Sequence, residues 1–149
     1  QRQMCIRDSI HSVERISKLS NVISINGGVQ LDLMGQENAE STGTRQLSGV
    51  GGQMDFLEGA YRSKGGKGFI CINSSRVTKD GERKSNILAT IPGGSTISAP
   101  RTMIQYVATE YGIASLSGKT LRERAEAMAS IAHPDFREEL MKYARENFK

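Results

Sequence analysis

The chain has 149 residues, a formal net charge of +4, and 24% charged against 37% hydrophobic residues. That size suits one domain with one core. No apolar run is long enough to span a bilayer and no signal peptide is recognisable, so the expectation is a cytoplasmic protein with no membrane partner.

The mild basicity fits either an uneven solvated surface or a preference for an anionic partner, and charge alone does not choose. Basic residues are scattered and lack an aromatic stacking platform, which argues against nucleic acid. The two cysteines, Cys5 and Cys71, have neither metal nor disulfide spacing. Cys71 lies in the apolar run GFICIN, which predicts a buried small residue. His11 has no partner within sequence reach, so no metal site is expected.

Residues 1–9 (QRQMCIRDS) show no hydrophobic period. They match the translation of a transposon-type sequencing adapter. Residues 1–9 are therefore read as a scar, and residues 10–149 as the domain itself.

Residues 10–20 place Ile10, Val13, Ile16 and Leu19 at intervals of three, an amphipathic helical period. Residues 21–26 (NVISIN) alternate and are β-branched, which predicts a strand. Gly27-Gly28 then makes a turn. Residues 29–33 (VQLDL) alternate again, suggesting a hairpin or sharp reversal. Residues 35–45 are polar and turn-rich. Residues 51–62 read as a loop entering a helix, with Met54, Leu57 and Tyr61 on one face.

Residues 69–73 (FICIN) fit a buried strand. Residues 77–85 form a charged turn with the tip TKDGERK. Short strands are expected at 86–91, 96–99 and 103–108, the last feeding a TEYG turn. Thr120 and Glu123 have the spacing of a capping box. Leu121, Ala125, Met128 and Ala132 continue one helical face. Pro134 marks a second helix start, followed by Phe136, Leu140, Tyr143 and Ala144. Alternating strands and helices indicate an α/β fold ending in two helices.

Three blocks could carry chemistry: SGVGGQMDFLEGA at 48–60, VATEYGIASLSGKTLRERA at 107–125, and IAHPDFREEL at 131–140. Gly49, Gly51 and Gly52 precede a helix, where free amides and the helix dipole favour an anion. A plain tight turn explains a lone G-x-G-G equally well. Glu110 sits at a predicted strand end, where open α/β sheets bind ligands. Alone, it could be an ordinary turn carboxylate.

Together, in this order and spacing, the blocks resemble the C-terminal domain of the acetyl-CoA hydrolase/transferase family. The likeness runs from about residue 10 to the end. It implies an open sheet of the CoA-transferase type, NagB/RpiA/CoA-transferase-like. It also implies that the covalent nucleophile, a glutamate, lies upstream, so that this chain is part of an enzyme and inactive alone. Gly52 matches the glycine whose backbone amide holds the oxyanion. Glu110 matches the active-site glutamate of T-E-x-G and takes a supporting role. Gly49 and Gly51 would border coenzyme A, and Lys79 falls where the family often has a lysine near the CoA end of the site. Here the local sequence is TKDG, which departs from the usual pattern, and a solvated loop lysine explains it as well.

Asp55 matches an aspartate that orders the loop or caps the helix. Asn26 and residues 32–36 (DLMGQ) match a block structuring the site. Arg101 follows the family's T-x-P-R pattern as a structural or anion-contacting group, and His133 is read as a cap or packing residue. The resemblance further implies acyl-CoA and a small carboxylate as substrates, no tightly bound cofactor, and a homodimer when full length. Hydrolysis of acyl-CoA is the alternative enzyme reading. A non-catalytic CoA-binding module is the alternative from another class.

Overall fold

The computed structural model describes residues 10–148, so the reading of residues 1–9 lies outside the described residues. Helix α1 (Val13–Lys18) leads into β1 (Ile23–Gly27), β2 (Gln30–Asp32) and β3 (Glu37–Asn38). The ribbon β4 (Ser41–Thr42) and β5 (Arg45–Gln46) precedes α2 (Gln53–Arg62) and β6 (Lys67–Cys71). A second ribbon, β7 (Ser75–Val77) and β8 (Arg83–Ser85), is followed by β9 (Ile87–Leu88). The chain ends with β10 (Tyr106–Thr109), β11 (Gly112–Ser115), α3 (Leu121–Ser130) and α4 (Pro134–Asn147).

The main sheet has the order β1-β6-β10-β11. The first three strands are mutually parallel and β11 returns antiparallel. A smaller sheet, β3-β2-β9, lies beside it. Mixed α/β with open sheets is the class the sequence predicts. Among the described residues, no helix is long and apolar enough to cross a membrane.

The two faces of the main sheet differ. Ile70, Val107 and Ala114 are buried in one core with Leu57 of α2 and with Ala125 and Met128 of α3. The opposite face, fixed by register, carries Ile23, Ile25, Phe69, Tyr106 and Ile113. Ile25 and Ile113 are 69% and 64% exposed there. The Phe69 and Tyr106 rings stack 4.9 Å apart across neighbouring strands.

Several expectations are corrected. Residues 21–26 and 29–33 form no hairpin. The Gly28 amide stays with the first sheet, donating to the Cys71 carbonyl, whereas the Val29 amide donates to Asn38 in the second. Gly27-Gly28 thus carries the chain from one sheet to the other. Of the predicted helical face Leu57 is buried and Met54 packs against the core, but Tyr61 is exposed, and α2 also buries Gly59 and Ala60. Gly59 is needed for that packing, since a Cβ there would lie 2.4 Å from Ile16 of α1.

Helix α1 starts only at Val13, capped by Ser12, and leaves Ile10 and Leu19 exposed. A strict spacing of three drifts around a 3.6-residue helix, so only Ile16 reaches the core. Residues 96–99 contribute a single bridge, Glu37 to Ala99, rather than a strand. Cys71 is exposed, because alternation along β6 turns Ile70 inward and its neighbour outward.

The C-terminal helices follow the sequence closely. Thr120 and Glu123 form the reciprocal capping box, with the Thr120 amide 2.8 Å from the Glu123 carboxylate. Leu121, however, is 40% exposed at the helix start. Pro134 opens α4, and His133 is its N-cap, accepting from the Asp135 amide at 3.3 Å.

Candidate active site

The parallel strands β1, β6 and β10 end along one edge of the sheet. Gly28, Cys71, Ile72, Asn73, Ala108 and Thr109 line a crevice of about 430 Å³ there. Ligands of open α/β sheets collect at this edge, where strand ends leave backbone groups and side chains facing a gap.

Glu110 follows Thr109 on the rim, at the start of the tight β10–β11 turn. Its carboxylate is held at both oxygens by one residue. The Ser74 amide donates to Oε2 at 2.9 Å and the Ser74 hydroxyl donates to Oε1 at 2.6 Å. Ser74 is fully buried, and its carbonyl accepts from the Asn86 amide at 2.8 Å. Desolvation acts to raise the Glu110 pKa, but the two Ser74 bonds, the Glu110 backbone amide and nearby His133 outweigh it. The net shift is below the usual carboxylate range, so Glu110 stands as a fixed anion.

The glycine loop approaches from the other side of the chain. Gly51 has φ +60, a left-handed conformation that favours glycine. Gly52 is the N-cap of α2, and no side chain caps that end. First-turn amides of a helix without a side-chain cap are suited to an anion. Gly52 also lies under the His11 imidazole, since a Cβ on it would come within 2.5 Å of His11 Nδ1. The His11 ring meets Phe56 of α2 edge-on at 4.8 Å. Asp55 sits in the first turn of α2, as a loop-ordering or dipole-complementing residue would.

The predicted residues are therefore not all gathered in one lining. Glu110 borders the strand-end crevice. Gly49 and Gly51 lie in the exposed loop before α2, with open space around them. Lys79 is exposed at the tip of the β7–β8 hairpin, a turn closed by the Gly81 amide on the Thr78 carbonyl at 3.0 Å. Asn26 donates to the Ser24 hydroxyl at 2.8 Å. Asp32 closes the DLMGQ turn, accepting from the Gln36 amide at 2.9 Å and its side chain at 2.7 Å. Arg101 touches the Met34 sulfur at 3.6 Å.

Two residues were not singled out in the sequence. Ser74, which fixes Glu110, sits in an unremarkable NSS triplet. Glu37 lies in a segment read as polar turn, yet it is fully buried. Its Oε2 accepts a short hydrogen bond from the Gln53 side chain. Burial pushes its pKa up to about 7, with Gln53 opposing and Glu40 assisting.

The chain is thus an open-sheet α/β domain with a strand-end crevice and a fixed carboxylate on its rim. Residues 2–144 match the C-terminal domain of the acetyl-CoA hydrolase/transferase family, and the chain belongs to that family. The butyryl-CoA:acetate CoA-transferase of Anaerostipes caccae is 48% identical over 134 residues, 90% of this chain and 30% of that protein. The acetyl-CoA hydrolase of Candida albicans is 30% identical, over 95% of this chain and 26% of that protein.

Among solved structures, RipA from Yersinia pestis superposes with a TM-score of 0.81 at 38% identity, covering 93% of this chain and 30% of that one. A 4-hydroxybutyrate CoA-transferase from Porphyromonas gingivalis superposes at 0.74 with 40% identity, covering 95% and 30%. The chain thus spans about 30% of the length of such curated CoA-transferase relatives.

Proposed function

We propose that this chain is the C-terminal part of a CoA-transferase that moves CoA between an acyl-CoA and a small carboxylate such as acetate. Coenzyme A enters as part of the acyl-CoA substrate, and no tightly bound cofactor is proposed. The cytoplasm, with its acyl-CoA pool, is the proposed compartment, and the full-length enzyme is proposed to be a homodimer. The short coverage of the relatives supports a preceding segment that this chain lacks.

The observation that carries the reading is the double hold of Ser74 on Glu110. A carboxylate that accepts hydrogen bonds at both oxygens is a weaker nucleophile than a free one, because the bonds stabilise its charge. Both Glu110 oxygens are engaged, and attack would sacrifice a buried hydroxyl bond. On this reading Glu110 is a positioning and electrostatic group, and a carboxylate outside this chain supplies the nucleophile.

In this mechanism that carboxylate attacks the thioester carbonyl and the CoA thiolate leaves, forming a mixed anhydride. The thiolate then attacks the glutamyl carbonyl and releases the original acid. The resulting glutamyl-CoA thioester gives its CoA to an acceptor carboxylate by the reverse steps. Each attack puts negative charge on a carbonyl oxygen. The backbone N–H of Gly52 is the proposed donor to that charge, and preorganised donors of this kind are worth about 3–4 kcal/mol in comparable sites. The Candida albicans relative supports hydrolysis as the second reading, with water replacing the acceptor.

The test joins this chain to the preceding portion of the Anaerostipes caccae relative and follows CoA transfer from butyryl-CoA to acetate. Gly52→Ala keeps the backbone N–H and puts a methyl beside it; because it alone would collide with His11, it is paired with His11→Ala, and slower transfer than in His11→Ala alone is expected if the reacting carbonyl sits against Gly52. Acetate-dependent transfer in the parent chimera supports the reading. Butyryl-CoA consumption that is indifferent to acetate favours the hydrolase, and no turnover in a folded chimera rejects both.

A further inference from the structure

Glu37 links the two halves of the candidate site. It sits on β3, its backbone fixed by its amide on the Ala99 carbonyl at 3.0 Å and by the Ser98 amide on its own carbonyl at 2.8 Å. Its side chain reaches away from that anchor. Oε2 accepts from Gln53, the first residue of α2 and the immediate neighbour of Gly52. Oε1 is buried and has no hydrogen-bond partner among the described residues. That oxygen occupies the space a Cβ would need on Gly28, 2.7 Å from where the atom would stand. Gly28 lines the strand-end crevice. One carboxyl therefore presses on the crevice wall and holds the head of the glycine-capped helix.

A buried ionisable group with one unsatisfied oxygen is an expensive way to fill space, because an apolar side chain of similar size avoids the desolvation cost. We propose that Glu37 is a positioning residue that sets, through Gln53, where the Gly52 backbone amide stands, and that gaining or losing its proton moves that amide. The proposal rests on the assignment of Gly52 above.

The physics is a change in bond strength. With Glu37 neutral, Gln53 donates to an uncharged oxygen. With Glu37 ionised, the same bond is charge-assisted, shorter and stronger. Gln53 is the first residue of α2 and Gly52 its N-cap, so a pull on the Gln53 side chain that shifts the head of the helix reaches the Gly52 N–H through the Gly52 Cα. The Glu37 carboxyl meets the uncharged Gln53 side chain of α2 and faces Gly28, beside which Ile70 and Ile72 of the β6 segment also lie. The charge acting on it is Glu40, itself buried and accepting from the Ser98 hydroxyl at 2.7 Å. His11 faces Gly52 directly, so the test must separate its imidazole from Glu37.

The experiment is an NMR titration of the 149-residue chain from pH 5 to 9, following the Gly52 backbone amide and the Gln53 side-chain amide. His11 acts alike in the parent chain and in Glu37→Gln, so their difference isolates Glu37. The expected result is a transition shared by both amides in the parent and missing from both in Glu37→Gln. In Glu40→Gln the shared transition persists with a lower midpoint.

Gln53→Ala supplies the second arm and decides alone if Glu37→Gln does not fold. There the Glu37 carboxyl, read by its own carbon shift, still titrates, while the Gly52 amide no longer follows it. A Gly52 amide that behaves identically in the parent and Glu37→Gln, or that follows Glu37 in Gln53→Ala, overturns the proposal. Catalysis does not enter this measurement. A chimera without acetate-dependent transfer would remove the oxyanion assignment of Gly52 while leaving this titration intact, so the two failures are read separately.

Discussion

Ser74 gives both of its hydrogen-bond donors to Glu110, the amide at 2.9 Å and the hydroxyl at 2.6 Å. The pair bridges the segment after β6 and the turn after β10, the C-terminal ends of adjacent parallel strands. The crevice edge is thus tied by a carboxylate as well as by backbone pairing, such as the Ile72 amide on the Ala108 carbonyl at 3.1 Å. Ser74→Ala removes the hydroxyl bond and keeps the amide bond. The Glu110 pKa should rise toward its ordinary value, as read by its side-chain carbon shift in an acid titration. Loss of a buried hydroxyl bond costs about 1 kcal/mol in denaturant unfolding. The sign at low pH follows from the depressed pKa. The Glu110 contribution is present above the unfolded value and is lost as pH falls through the folded one, so parent and variant should converge in acid.

Glu37 predicts the opposite pH dependence. Its folded pKa is raised from 4.5 to about 7 by burial. The folded state therefore binds a proton the unfolded state has released between those values. Stability is greatest below the unfolded value and declines as pH rises toward 7, by about 3 kcal/mol at most. Glu37→Gln, which cannot ionise, should flatten this slope. Denaturant midpoints at pH 5 and pH 8 check it. An unchanged slope in the variant would show that other groups set the decline.

The exposed face of the main sheet gives a third prediction. Ile25 and Ile113 stand on it more than half exposed, away from the helices. Replacing either with Thr removes little buried area and keeps a β-branched side chain, so stability should change by less than about 0.5 kcal/mol. Apolar patches drive self-association, so the double variant should stay in solution at higher concentration. Leu57→Ala, on the buried side, should instead cost about 2–5 kcal/mol because Leu57 is fully enclosed. Parallel denaturation and light-scattering measurements separate the two faces.

This asymmetry also explains what the sequence could and could not reveal. Local signals survived wherever one short segment contained the whole cause, as in the Thr120–Glu123 box and the Pro134 helix start. The glycine run was legible because positive φ at Gly51 and the bare cap at Gly52 are backbone requirements. Contacts between distant segments were not. Nothing in NSS announces that Ser74 meets Glu110, 36 positions later. Glu37 looked like turn polarity because its burial comes from β2, residues 98–99 and α2 together. The β1 pattern misled in a different way. Its alternation was real, but Ser24 faces inward and Ile25 outward, the reverse of the usual assignment.

Arg124 carries the last prediction. Its guanidinium donates to three backbone carbonyls, those of Met34 at 2.9 Å, Leu116 at 2.8 Å and Arg101 at 2.7 Å. It thereby fastens α3 to the DLMGQ turn, to the end of the β11 segment and to the loop before β10. Burial and neighbouring Arg101 lower its pKa, and Asp32 partly compensates. A lysine has three donors on one atom and cannot address three carbonyls spread around a planar fork. Arg124→Lys should therefore destabilise nearly as much as Arg124→Met, about 2–4 kcal/mol, because carbonyls lose partners in both. Gly35→Ala tests the same clamp from the other side. Gly35 has φ +86, and a Cβ there would lie 2.8 Å from Arg124 Nη2 and from Leu116. If the clamp is one unit, Gly35→Ala and Arg124→Met should be strongly sub-additive in a double-mutant cycle. Additive losses would mean that Gly35 serves only its own turn.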